Sequence, residues 1–268
     1  MTLRARATSS SRQRIATTYS SKSNNSKSKT SAAPMKRQMA VINWENVLVP
    51  LDWMIVHLGL GTLTATIDLK VIHSHSPSVT ELPRTFAAIE DRILELLTAT
   101  MRSVKGPVFI VSEFSTVYVE FVCYLFFPRL TAALRSATTG IYVIGTPDTQ
   151  LNDGEVKLWK VNLLRTMVLE RVFAGVSAND AANMLKHPTS GRLDVLALCA
   201  TKVDVAAIST LHSDAPYSIV KSARVKTRCT RDPHSVPIGL EAFYKQLQTL
   251  AQFVKQAVAA NHPINIDL

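Results

Sequence analysis

Four stretches of the chain share one pattern, an apolar run of strand length bounded by Gly, Pro or polar residues: 39–43 (MAVIN), 107–113 (PVFIVSE), 140–146 (GIYVIGT) and 193–199 (LDVLALC). Continuous apolar runs, as opposed to apolar/polar alternation, mark strands buried on both faces, as in a parallel sheet. Between them the period lengthens to that of a helix. Residues 86–101 place Ile89, Ile93, Leu96, Leu97 and Thr100 at spacings of three and four, with Glu90, Asp91, Arg92 and Glu95 mostly on the other face. Residues 156–173 repeat the device with Val161, Leu164, Val168 and Val172, and residues 240–259 with Phe243, Leu247, Leu250, Val254 and Val258. Strands alternating with helices predict right-handed βαβ units, hence an α/β, Rossmann-like, doubly wound domain with a mostly parallel sheet and helices on both faces. Ligands of such sheets bind beyond the carboxyl ends of the strands. That rule singles out Asn43, Ser112, Gly145 and Cys199. Residues 53–83, rich in His, Ser and Thr with one candidate strand at 63–72, read as a small insertion or long loop.

Composition changes this picture only at the amino terminus. The chain has 268 residues, 47 % of them hydrophobic, and a formal charge of +10. The first 40 residues hold nine Lys or Arg and no acid, so the remainder is close to neutral at +1. Residues 1–38 therefore read as a disordered, basic, Ser/Thr-rich tail that cannot bury enough apolar surface to offset the entropy of ordering, and residues 39–268 as a single domain. Two functions compete with plain disorder for the tail. One is a mitochondrial transit peptide, for which Arg4, Arg6, Arg12 and Arg14 are the right composition, although Leu3, Ala5, Ala7 and Ile15 make no clear stripe. The other is salt-sensitive, non-specific contact with RNA or an anionic surface. Cys123, Cys199 and Cys229 are widely spaced and two lie in apolar runs, which suits reduced thiols and an intracellular setting, cytoplasmic with mitochondrial as the main alternative. No Cys-x-x-Cys spacing occurs, and His73 with His75 is weak as a metal pair. The apolar stretch 117–127 is broken by Glu120, so no transmembrane segment is expected.

The strand end followed by VINWENVLVPLDW resembles the first motif of haloacid dehalogenase-like (HAD) phosphatases, in a protist-type subgroup where the motif looks like Asp-Trp-Asp-Asp-Thr-Leu-Leu-Pro with a Trp shortly after. Trp44, Leu48, Pro50 and Trp53 keep that frame. PVFIVSEFSTVYVEFVCYLFFPRL is similar to the second-motif region, with Ser112, Val119, Glu120, Phe127, Pro128 and Arg129 matching. Trp159 and Lys160 look like the Trp-Lys pair of the third motif, and LEAFYKQLQTL like the closing helix. The four stretches stand in the family's order and span nearly all of residues 39–268.

The resemblance implies a phosphatase site that has lost its chemistry. In the family the first aspartate attacks phosphorus and an acid two positions on serves as acid and base. Asn43 and Glu45 stand at those positions. An amide is a poor nucleophile and removes a negative charge from the magnesium site. Val47 replaces a Thr, and the fourth-motif acids are replaced by Leu198, Cys199 and Ala200, leaving Asp204 as a weak metal candidate. Ser112 and Lys160 are the anion-binding candidates, set against an ordinary helix-capping hydroxyl and an exposed helix charge. Cys123 and Cys199 suit buried core thiols better than nucleophiles. The 47 residues between Ser112 and Lys160 leave no room for a large cap domain there, so an open site facing a large partner is expected. The leading reading is a catalytically inactive HAD-like pseudophosphatase that binds or scaffolds a macromolecular partner, most simply a protein, with no cofactor. The alternatives are a weak magnesium-dependent phosphate-ester hydrolase with rearranged acids, and a structural subunit of an intracellular or mitochondrial assembly.

Overall fold

The computed structural model describes residues 37–60, 81–136, 140–146, 152–227 and 235–268. All of them belong to one compact unit, Pro34–Leu268. The tail reading, the candidate strand at 63–72, His73, His75 and Cys229 lie outside the described residues, except that the first strand starts at Arg37, two residues inside the proposed tail.

Six strands form one all-parallel sheet in the order β3-β2-β1-β4-β5-β6: β1 (Arg37–Asn43), β2 (Val108–Ser112), β3 (Ile141–Gly145), β4 (Leu193–Cys199), β5 (Ile219–Arg224) and β6 (Ile264–Asp267). The connecting helices are α1 (Leu51–Leu58), α2 (Leu82–Ser103), α3 (Thr116–Phe126), α4 (Pro128–Arg135), α5 (Asp153–Met167), α6 (Ala178–Leu185), α7 (Lys202–Asp214) and α8 (Leu240–Ala259). This is the Rossmann-like doubly wound arrangement. The chain winds outward from β1 to β3, returns to the centre, and winds the other way from β4, so the switch point falls between β1 and β4.

The two-residue period of a strand distributes the core. In β4, Leu193, Val195, Ala197 and Cys199 point to one face while Leu196 and Leu198 point to the other. The first face is covered by α5, α6 and α7, including Val161, Leu164, Phe173, Ala181 and Ile208. The second is covered by α1, α2, α3 and α8, where Ile89, Ile93, Leu96 and Leu97 meet Phe243, Leu247, Leu250 and Val254. α5 stops at Met167 and widens into a π-helical turn, Val168–Val172, in which Val168 is buried.

One charge on α2 departs from the periodic reading. Glu90 is buried, where the pattern put it mostly on the outer face, because Arg129 Nε and the Leu130 backbone N–H both donate to its carboxylate, at 2.8 and 2.9 Å. Arg129 also reaches Asp91 at 2.7 Å and the Ala87 carbonyl at 3.1 Å, so it locks α4 to α2. Among the described residues, no helix is long and apolar enough to cross a membrane.

Candidate functional site

The switch point brings Asn43, the last residue of β1, beside Cys199, the last of β4. Two turns cross above them. The β1–α1 turn is fixed by Trp44 N–H donating to the Val111 carbonyl at 2.8 Å and by Asn46, whose positive φ of 58° suits a short polar residue and whose Oδ1 accepts from Asp52 N at 2.9 Å. Trp44, Val47, Leu48 and Val49 of this turn are wholly buried. The β2–α3 turn follows Ser112. It is pressed against the end of β3 so closely that a Cβ on Gly145 would lie 2.4 Å from both the Phe114 carbonyl oxygen and the Thr116 nitrogen, so only glycine fits.

Glu45 joins the two turns. Its Oε1 accepts from Ser112 Oγ at 2.5 Å and from the Glu113 backbone N–H at 2.7 Å, while Asn43 Nδ2 donates to its carbonyl at 3.0 Å. The residue is 7 % exposed and its Oε2 has no hydrogen-bond partner. Burial pushes the carboxyl up to about 7, reinforced by the neighbouring Glu113 and opposed by the Ser112 hydrogen bond and by Lys160.

Lys160 on α5 is 4 % exposed, which overturns the exposed-charge alternative. Its ammonium lies between Glu113, whose Oε1 is 2.5 Å away, and Asp204 on α7, whose Oδ1 it also contacts. Burial alone would lower its pKa, but the pull of the two carboxylates and the hydrogen bonds to them outweigh this and raise it above the ordinary lysine value. The other Asp204 oxygen accepts from Ala200 N at 3.0 Å and Thr201 N at 2.7 Å, completing a capping box at the start of α7.

A cavity of about 30 Å³, with Asn43, Lys160, Cys199 and Asp204 in its wall and Val41 and Leu164 among its apolar lining, lies behind this cluster. It has room for about one water molecule. The structure thus brings all five singled-out positions, Asn43, Glu45, Ser112, Lys160 and Asp204, to one place, and adds Glu113, which the sequence reading passed over. Its signal was legible, as the charged residue that ends the run PVFIVSE. Ser112 does not cap the next helix. Ser115 does, accepting from Tyr118 N at 3.3 Å.

Neither anion-binding candidate faces outward uncommitted, because Ser112 donates to Glu45 and Lys160 is clasped by two carboxylates. The donor set does not fit magnesium either. Asn43 turns its amide N–H toward the chain, Asp204 spends its oxygens on Lys160 and two backbone amides, and a cation already sits between the acids. Among the described residues no group of three or more His, Cys, Asp or Glu side chains is placed to hold a metal ion. No family model, curated protein or solved structure matches this chain.

The described cysteines are both free and buried. Burial pushes the Cys123 thiol up to about 12, and burial together with Asp204 pushes Cys199 up as well, so neither is a thiolate at neutral pH.

Proposed function

We propose that the chain is a catalytically inactive, HAD-like pseudophosphatase whose strand-end face and flanking helices bind or scaffold a protein partner. The observation that carries this reading is that the groups suited to hold a phosphate are already bonded within the chain. The nucleophile position is an amide, Asn43, and the cation and hydroxyl suited to hold a phosphate are bonded to Glu113, Asp204 and Glu45. A phosphate ester entering there would have to displace carboxylates from Lys160 and bring two negative charges beside three acids, which opposes binding. A protein partner needs no such entry. Val117, Leu158 and Val236, in the segments that follow β2, β3 and β5, are 70, 61 and 76 % exposed and offer apolar contact around the same end of the sheet.

A second reading rests on Glu45, whose carboxyl near 7 suits a general acid or base at neutral pH. In that reading the chain is a weak phosphate-ester hydrolase with rearranged acids, in need of a magnesium ion that the present donor set does not suit. Buried, reduced Cys123 and Cys199 support an intracellular setting, cytoplasmic, or mitochondrial if the tail is a transit peptide. The tail, with eight positive charges in residues 1–36, supplies the non-specific contact with RNA or an anionic surface.

Affinity purification of the full chain tests the partner reading. A protein that co-purifies stoichiometrically and is lost on Val117→Asp and Leu158→Asp substitution supports it. An affinity that survives both changes but vanishes when residues 1–36 are removed or salt is raised assigns binding to the tail instead.

A further inference from the structure

Glu45 connects a mostly buried turn to a half-buried one. On its own side, Trp44, Val47, Leu48 and Val49 are wholly buried, and α8 adds a clamp through Gln246 Nε2, which donates to the Asn46 carbonyl at 2.9 Å. On the other side, Glu113, Phe114 and Ser115 are only half-buried. That turn is held by Glu45 Oε1, by the Glu113–Lys160 pair, and by Thr146, whose Oγ1 donates to the Glu113 carbonyl at 2.7 Å and whose N–H donates to the Phe114 carbonyl at 3.1 Å.

The charged and titratable groups around the carboxyl come from every element packed on it. Glu113 faces it from the β2–α3 turn, Lys160 from α5 with Asp204 of α7 behind, and Tyr118 from α3, while its own strand supplies only the amide of Asn43. Among the described residues, one cation therefore serves three acids. Two of those acids, Glu113 and Asp204, already hold it, and Glu45 Oε2 meets no donor. A second negative charge at Glu45 in this closed arrangement would be uncompensated, and water entering between the turns is the simplest supply of donors for it.

We infer that Glu45 is a proton-operated latch: neutral, it stays buried while Oε1 accepts the two bonds that fasten the β2–α3 turn, and on losing its proton the charge on the donor-less Oε2 draws water in, lifts the turn and opens the strand-end face. The latch goes beyond the pseudophosphatase reading and does not depend on it, because it concerns the exposure of two turns and not turnover or partner binding.

Hydrogen exchange of the full chain, read by mass spectrometry at pH 5, 6 and 8 and corrected for intrinsic exchange, tests it. With a closed-state value of about 7 against 4.5 in the open state, opening of the segment containing residues 112–118 should rise about tenfold from pH 6 to 8 and about seventyfold from pH 5 to 8. Segments within β4 should not respond. Glu45→Gln keeps the accepting oxygen without the charge and should hold exchange slow at all three values. Ser112→Ala removes a bond that lowers the Glu45 value, so the midpoint of opening should move to higher pH. Equal protection of residues 112–118 at pH 5 and 8 in the unsubstituted chain overturns the inference. So does a pH response that persists in Glu45→Gln, or a midpoint unmoved by Ser112→Ala.

Discussion

Two buried Lys–Asp pairs sit at different parts of the same sheet and are built for different ends. Lys221 on β5 meets Asp194 on the neighbouring β4 at 3.4 Å, with Arg192 at 3.7 Å from the same carboxylate. This pair joins adjacent strands, and among the described residues two cations face one acid. Lys160 and Asp204 instead join two helices across the strand ends, and there three acids, Glu45, Glu113 and Asp204, share one cation. The inner pair is a weld between strands. The strand-end cluster carries surplus acid beside turns that can move, an arrangement that stability alone does not call for.

Removing the cations tests the contrast most severely. Lys160→Met leaves Glu113 and Asp204 uncompensated and should cost on the order of 3–5 kcal/mol in urea unfolding at pH 7. Lys221→Met should cost less, about 2 kcal/mol, because Arg192 still faces Asp194. Equal costs would erase the difference between the two pairs.

Between those two losses in size is the gain from Glu45→Gln. Because folding raises the Glu45 value from 4.5 to about 7, the group leaves stability unaffected below 4.5, lowers it progressively as pH rises toward 7, and withholds the full amount above that. The substitution should therefore stabilise the protein by about 3 kcal/mol at pH 8 and by almost nothing at pH 4, read from melting temperatures across that range. A gain that does not depend on pH would show that the carboxyl is not the source.

Arg129→Ala ranks below these, as a small loss of stability. Its guanidinium is half exposed and screened, and Glu90 keeps the Leu130 N–H. Smallest is Lys245→Ala on the outside of α8, a few tenths of a kcal/mol through its i,i+4 pair with Glu241.

How far these features could be read from the chain follows from how local their causes are. β4 and α8 appear with the bounds their patterns indicated, because LDVLALC is apolar but for Asp194 and α8 carries an uninterrupted stripe. β5 and β6 were not anticipated. β5 reads IVKSAR, and its polar residues find partners only in the sheet, Lys221 at Asp194 and Arg224 bidentate to Asp267 at 2.8 Å. The sequence pattern faces Glu90 mostly outward and leaves Lys160 between an anion-binding cation and an exposed helix charge for the same reason, since their partners Arg129 and Asp204 lie 39 and 44 residues further along. The strand-end rule singles out Asn43, Ser112 and Cys199, which lie at one end of the sheet, but the clasping of Lys160 by Glu113 and Asp204 is a tertiary fact.

The central claim, that the strand-end site does not turn over phosphate esters, is tested most directly by incubating the full chain with p-nitrophenyl phosphate and magnesium beside a Glu45→Ala control. The account expects no phenolate release above that control at any pH from 5 to 8. Magnesium-dependent release that disappears in Glu45→Ala would contradict it and make Glu45 an acid–base residue of a working hydrolase.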